Sequence, residues 1–332
     1  MKTKKERIFY YDLLRAFAII AVIICHVDHF FGPLTSQTQI IAQMAFHDIG
    51  RIGVPIFLMI SGALLLNRDY PDLSQFLKKR FTRIIYPFIF WIILILGQLY
   101  YLNYNSAFLW KVFTGDLSIT WYFWILIGIY LFIPVINSFV KEYGEKGVEY
   151  FLVIWLITMI LKTFNSYPLW ANFDLNLFAG YVGYPLLGYY LANKKFSISD
   201  KKVCILGLVT LLISLSVFVY LNYHSSSYIS LIYQNIPIIL MGSGMFLFIK
   251  YLDKLNKFDS IKDNIIGKVI ISLSLYSYGM YFSHVIVVKF LSYCNPHSHL
   301  LFPVMFVLVI FLSWLLPYII SKIPYLKIFS GA

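Results

Sequence analysis

The chain has 332 residues, of which 60% are hydrophobic, 19% aromatic and only 13% charged, and its formal net charge is +12. Soluble domains are about 45–50% apolar and about 25% charged, so this balance excludes a soluble globular enzyme, a disordered chain and a disulfide scaffold. The mean hydropathy is +0.76, and the apolar residues fall in long runs that place most of the chain inside a bilayer.

A span needs about 20 mostly apolar residues. Ten segments qualify, near 9–31, 49–66, 84–102, 119–137, 149–163, 175–192, 203–222, 230–250, 268–292 and 301–321. Backbone groups in lipid must be satisfied internally, so the expected fold is all-α: a polytopic membrane helix bundle of about ten transmembrane helices. The first apolar run follows Lys2, Lys4, Lys5 and Arg7. It is long for a signal peptide and lacks a small-residue cleavage site, so a retained first span is expected. Pro55, Pro87, Pro134, Pro185, Pro237 and Pro317 lie in or near spans and predict kinks. With the N-terminus inside and the spans alternating, 22 of the 27 basic residues fall in inside segments. Only Arg15, Arg51, Lys111, Lys162 and Lys289 do not. Basic residues accumulate in cytoplasmic loops, so a cell-membrane location with both termini cytoplasmic is expected. The basic excess is thereby accounted for, and no Lys/Arg-rich module stands outside the apolar segments to bind nucleic acid.

No hydrophilic domain follows the last span, so residues 1–332 read as one integral membrane domain without an appended soluble domain. Cys25, Cys204 and Cys294 form no C-x-x-C pair. They suit apolar packing rather than a metal or a disulfide framework.

The first span, YYDLLRAFAIIAVIICHVDHFF, carries Asp12, Arg15, His26, Asp28 and His29. A charge at the centre of a span costs about 2.5–3.5 kcal/mol on insertion scales, and such residues usually face the bundle interior. Asp12 and Arg15, three apart, can pair on one face. Arg15 and His26 are eleven apart, which returns to within about 20° on a helix and separates them by about 16 Å along its axis. The ninth span carries His284 at nearly the height of His26, so two histidines from distant segments share one depth. His47, Asp48 and Arg51 stand at the outer end of the second span, and Trp121 and Tyr122 at that of the fourth. Trp121 and Tyr122 fit either an interfacial aromatic belt or a wall for stacking a sugar. On the inner side, Arg80 and Arg83 form R-x-x-R. They are either plain positive-inside charge or a grip on phosphate, which the guanidinium fork suits.

These residues resemble the acyltransferase-3 family of integral membrane acyltransferases. The resemblance rests on DLLRAFAIIAVIICH with its Arg and His ten residues apart, GVPIFLMISGALL, KKRFTRIIYPFIFW, TWYFWILIGIYLFIPVI and SLYSYGMYFSH, in that order. It implies O-acyl transfer, usually acetyl, from a cytoplasmic acyl-CoA to a hydroxyl of an extracytoplasmic or lipid-linked glycan such as a surface polysaccharide. The family's essential Arg–His pair maps onto Arg15 and His26, and its R-x-x-R onto Arg80 and Arg83.

The donor is then acetyl-CoA or another acyl-CoA, with no metal, and the other partners are the glycan acceptor and membrane lipids. The nucleotide head sits near Arg80 and Arg83, the pantetheine arm passes Arg15, and the thioester reaches His26. His26 is either a general base on the acceptor hydroxyl or a transient acyl carrier. Asp28 does not share its face. His284, Tyr281 and Arg51 are left to stabilise an oxyanion or bind the sugar. Ten spans with buried charge also describe a polysaccharide transporter or flippase without transferase activity, although no inverted repeat is visible. The outer stretch 103–118 reads as a short lid or a simple connection.

Overall fold

The structure is a computed structural model that describes residues 7–27, 30, 36–101, 111, 120–163, 175, 178–224, 234–294 and 302–332. Asp28, His29 and nearly all of the stretch 103–118 lie outside the described residues. Among the described residues there are helices and turns and no strand. The helices are α1 (Phe9–Ile24), α2 (Gln37–Gly50), α3 (Gly53–Leu65), α4 (Leu73–Tyr101), α5 (Trp121–Thr163), α6 (Gly183–Asn193), α7 (Asp200–His224), α8 (Ile236–Lys254), α9 (Asp259–Lys262), α10 (Ile265–Cys294) and α11 (Phe302–Lys322).

Among the described residues, seven stretches are long and apolar enough to cross a bilayer: Gln37–Leu65, α4, α5, α7, α8, α10 and α11. The expected count was about ten, and the difference has three sources. α1 has 16 residues and α6 has 11, both short of a full crossing. The expected fourth and fifth spans are joined in α5, 43 residues long with a break at Gly144 (φ 58°, ψ −146°). A positive φ is open to glycine because it has no Cβ. Trp121, at the start of α5, lies against Tyr181 with ring centroids 6.0 Å apart. Trp155, beyond the break, donates to the Gly180 carbonyl at 3.0 Å. In one straight helix these tryptophans would stand about 51 Å apart. Packed on adjacent residues of one segment, they require the chain to double back at Gly144.

Contacts fix the directions of the helices that matter most. Ser274 of α10 donates to Asp12 of α1, and ten residues later His284 meets His26, so α1 and α10 run the same way. Tyr278 of α10 donates to the Ile84 carbonyl at 3.1 Å, and Gln98 to the Ile286 carbonyl at 3.0 Å, so α4 runs parallel to both. At one end of the bundle, ion pairs join loops that the charge bias assigns to one side. Lys141 pairs with Asp69, Lys194 with Glu149 and Glu145, and Lys254 with Asp200. Just inside this end, Lys250 donates to the Leu191 and Ala192 carbonyls at 2.8 and 2.9 Å. It thereby satisfies carbonyls that the last turn of α6 leaves without helical partners.

α3 is apolar all round, with Val54, Ile56, Leu58, Met59 and Ile60 buried, as expected of a helix at the centre of a bundle. It crosses α6 backbone to backbone. A Cβ on Gly62 would lie 1.8 Å from the Pro185 carbonyl oxygen, and one on Gly188 would lie 2.0 Å from that of Met59. Inside a membrane, helices associate by such close packing of small residues. Gly62→Leu therefore forces α3 and α6 apart and lowers the melting temperature in detergent, at a cost of about 1–3 kcal/mol or more. Gly97→Ala, whose Cβ meets nothing within 4 Å, is the control. Equal melting temperatures for the two variants overturn this account of the crossing.

Candidate active site

α1 ends at Ile24, several residues before the expected end of the first span. The chain then tightens, with Cys25 N–H bonded to the Ala21 carbonyl and His26 N–H to that of Ile23. His26 therefore stands in the turn that closes α1, still against α10. Its ring centroid is 5.0 Å from that of His284, which is 1% exposed. The two histidines share one depth, as their spacing along the two spans implies.

His284 Nδ1 lies 3.0 Å from the Met280 carbonyl oxygen. A carbonyl only accepts, so Nδ1 carries the proton and Nε2 presents a lone pair. Nε2 is buried and has no hydrogen-bond partner among the described residues. In this tautomer His284 is an acceptor at Nε2.

Toward the other end of α1 and α10 lies a cavity of about 240 Å³. Arg7, Arg15, Arg80 and Arg83 line it, and no acidic side chain does. The nearby carboxylate of Asp12 is already taken. Arg7 donates to it through Nε and Nη2, the latter at 2.8 Å, and Ser274 Oγ donates at 2.6 Å. The hydrogen bonds to Asp12 raise the pKa of Arg7 and hold it charged. Spacing suggested an Asp12–Arg15 pair; instead Arg7, preceding the helix, reaches Asp12 with a bidentate fork. Arg15 makes no ion pair or hydrogen bond with a described residue. Arg80 lies over the Phe76 ring at 5.6 Å, with its Nε buried and without a partner among the described residues. Arg15, Arg80 and Arg83, together with the Asp12-bound Arg7, turn guanidinium groups toward one space, an arrangement suited to a polyanion.

The cavity climbs along one face of α10, past Ser274, Ser277 and Tyr278, to Tyr281. Tyr122 of α5 closes it on the other side, its ring 5.1 Å from that of Tyr281. The next residue up that face is His284, its ring 6.0 Å from Tyr281. The arginine group and the histidine pair thus belong to one column about 15 Å long by helix rise.

Two residues expected toward the outer end, for the acceptor, do not line this cavity. Trp121 packs on Tyr181 and does not line the cavity. Arg51, 4% exposed, sits where α2 passes into α3 and faces Asp48 with Nε 3.4 Å from Oδ1. Its Cζ lies 5.7 Å over the Phe218 ring of α7, and Asn222 of α7 donates to Asp48 at 2.9 Å. This buried cluster fastens the α2–α3 junction to α7. The residues that sequence reasoning missed are Arg7, Ser274, Ser277, Tyr130 and Tyr278, all on the cavity wall. Ser274, Ser277, Tyr278 and Tyr281 recur at helical spacing, which marks a polar stripe on the ninth span. Arg7 was counted only as a topology charge.

Removing one partner of a buried ion pair costs about 3–5 kcal/mol, because the other charge is left buried and uncompensated. Asp48→Ala is therefore expected to lower the unfolding temperature in detergent by more than any exposed acidic-to-alanine change, such as Asp69→Ala. Unfolding temperatures that match between these two variants would show that the cluster does not hold the junction.

Comparison with curated proteins and with solved structures returns no match. Comparison with protein families matches residues 8–322 to one described as an acyltransferase domain, and this range contains the cavity arginines Arg15, Arg80 and Arg83, both histidines and all eleven helices. With its apolar helices long enough to cross a bilayer, the chain is a membrane protein that belongs to the acyltransferase-3 family.

Proposed function

We propose that this membrane acyltransferase takes an acyl group, acetyl in the first instance, from an acyl-CoA on the cytoplasmic side. It passes the group to a hydroxyl of a glycan or lipid-linked sugar on the opposite side. The observation that carries the proposal is the single column from four arginines (Arg7 held by Asp12; Arg15, Arg80 and Arg83 in no ion pair with a described residue), through Tyr122 and Tyr281, to the His26–His284 pair. CoA is an elongated polyanion with a neutral arm, and its thioester supplies an activated acyl group. Arg80 and Arg83 hold its phosphates at the mouth, where the guanidinium fork matches phosphate oxygens. Arg15, half-buried and without an acid partner, holds the arm and keeps a positive potential inside the bundle. The concentration of basic residues at this end supports its placement in the cytoplasm, with both termini there and ten crossings once α5 is counted as two arms and α1 and α6 as shortened ones.

At the far end His26 takes the proton of the acceptor hydroxyl as the acyl group is transferred. A histidine is suited to this because its ordinary pKa lies near neutrality. His284, with Nδ1–H committed to Met280, offers Nε2 to orient either the His26 ring or the hydroxyl itself. Arg15, His26 and His284 act as the catalytic group. Arg80, Arg83, Tyr122 and Tyr281 form the binding walls.

The first test is CoA release from acetyl-CoA by purified protein in nanodiscs that contain a native-membrane lipid and glycan extract. General-base catalysis contributes about 10²–10⁴-fold, so His26→Ala should lose at least about 100-fold in kcat while eluting as a folded monodisperse protein. Full activity in His26→Ala removes it from the chemistry. An extract from which wild type releases no CoA at all points instead to transport without transfer.

A hydrogen bond to a charged group is worth about 1.5–3 kcal/mol. Arg80→Ala combined with Arg83→Ala should therefore raise KM for acyl-CoA by roughly 10-fold or more, with a smaller change in kcat. An unchanged KM returns both arginines to a purely topological role.

A further inference from the structure

The two tyrosines between the arginines and the histidines stand where the acyl group has to pass. Tyr122 and Tyr281 each line the cavity and are each 4% exposed. Their ring centroids are 5.1 Å apart at an interplanar angle of 56°, within the range of aromatic rings in direct contact. Phe57 backs Tyr122 with ring centroids 6.3 Å apart. Tyr281 has cavity on one side and the His284 ring, 6.0 Å away, on the other. The His26–His284 pair lies beyond the cavity wall, and the tyrosine rings leave no room between them for a chain of methylenes.

We propose that Tyr122 and Tyr281 form a constriction that selects the acyl group by size, admitting acetyl and its nearest homologues and excluding longer chains. The inference rests on the acyl-CoA reading above and specifies its donor. A thioester bound at the arginines brings its acyl group to the underside of this ring pair. A short group passes with a small rotation of the rings, which are held by packing on Phe57 and Phe282. Each further methylene has to part them more widely. The two residues are specificity-determining rather than part of the proton transfer, because the selection rests on the volume of the rings and not on their hydroxyls.

The test is the ratio of kcat/KM values for acetyl-, propionyl-, butyryl-, hexanoyl- and octanoyl-CoA, read as CoA release in the nanodisc system. One methylene in a shaped apolar site is worth roughly 10-fold or more. Wild type should therefore lose at least about 100-fold between acetyl- and hexanoyl-CoA. Tyr122→Ala should flatten that ratio by about 10-fold or more, whereas Tyr122→Phe, which keeps the ring, should retain the wild-type profile. Where Tyr122→Ala does not elute as a folded protein, Tyr122→Leu carries the test with a smaller side chain in place of the ring.

A wild type that uses hexanoyl- and acetyl-CoA equally overturns the proposal. So does a folded Tyr122→Ala or Tyr122→Leu with an unchanged chain-length profile. Both results leave the acyl-CoA reading intact, because thioester is consumed in each. Wild type that releases CoA from none of the five thioesters overturns the donor assignment itself, and the constriction with it.

Discussion

Everything at the centre of this bundle depends on holding positive charge where lipid and apolar side chains exclude water. Arg15 is half a helix into the structure and Arg80 has a buried nitrogen, and the nearby Asp12 is occupied by Arg7 and Ser274. Unpaired cations at such depth are costly, and a cavity relieves that cost by giving them solvent or an anionic ligand. The same space that makes the arginines tolerable is therefore the space the proposed polyanionic donor would fill.

The parallel packing of α1 on α10 joins that basic end to the histidine pair in one column. One end of the pair is fastened by the Ser274–Asp12 hydrogen bond, and the other brings His26 against His284. Between them, the polar stripe of α10 forms one wall of the cavity, and α4 completes the mouth with Arg80 and Arg83. α3 lies behind, locked to α6 by glycines that let the two backbones touch. The close-packed α3–α6 pair thus backs the column without itself contributing titratable groups to it. The Asp48–Arg51–Asn222 cluster, on the opposite side of α2, fastens the periphery in the same way.

The histidine pair shows how a backbone carbonyl sets side-chain chemistry. Met280, one turn below His284 on the same helix, accepts from Nδ1 and thereby decides which ring nitrogen is left as acceptor. Inside an apolar helix this carbonyl would ordinarily be satisfied by its own i+4 amide, so the imidazole adds a second donor to it. The acceptor nitrogen so defined belongs to a ring whose centroid lies 5.0 Å from that of His26, where α1 closes.

Composition, hydropathy and the distribution of lysine and arginine determined that this is an all-helical membrane protein. They did so because lipid leaves a chain so few ways to satisfy its backbone. Helix rise alone also placed His26 level with His284, since two parallel helices keep common depth along their axes. Sequence spacing set a reversal between the spans at 119–137 and 149–163, but not that both would belong to one helical run broken at the positive φ of Gly144. Nor did it find the partner of Asp12: Arg7 precedes the helix, and its reach follows no helical period. Arg51, at the outer end of its span and so at a different height from Arg15, was left to serve the acceptor, and tertiary packing sets it against Asp48 and α7. A residue's height in the membrane follows from counting along its own helix. Which face meets which neighbour follows only from how the helices pack around one another.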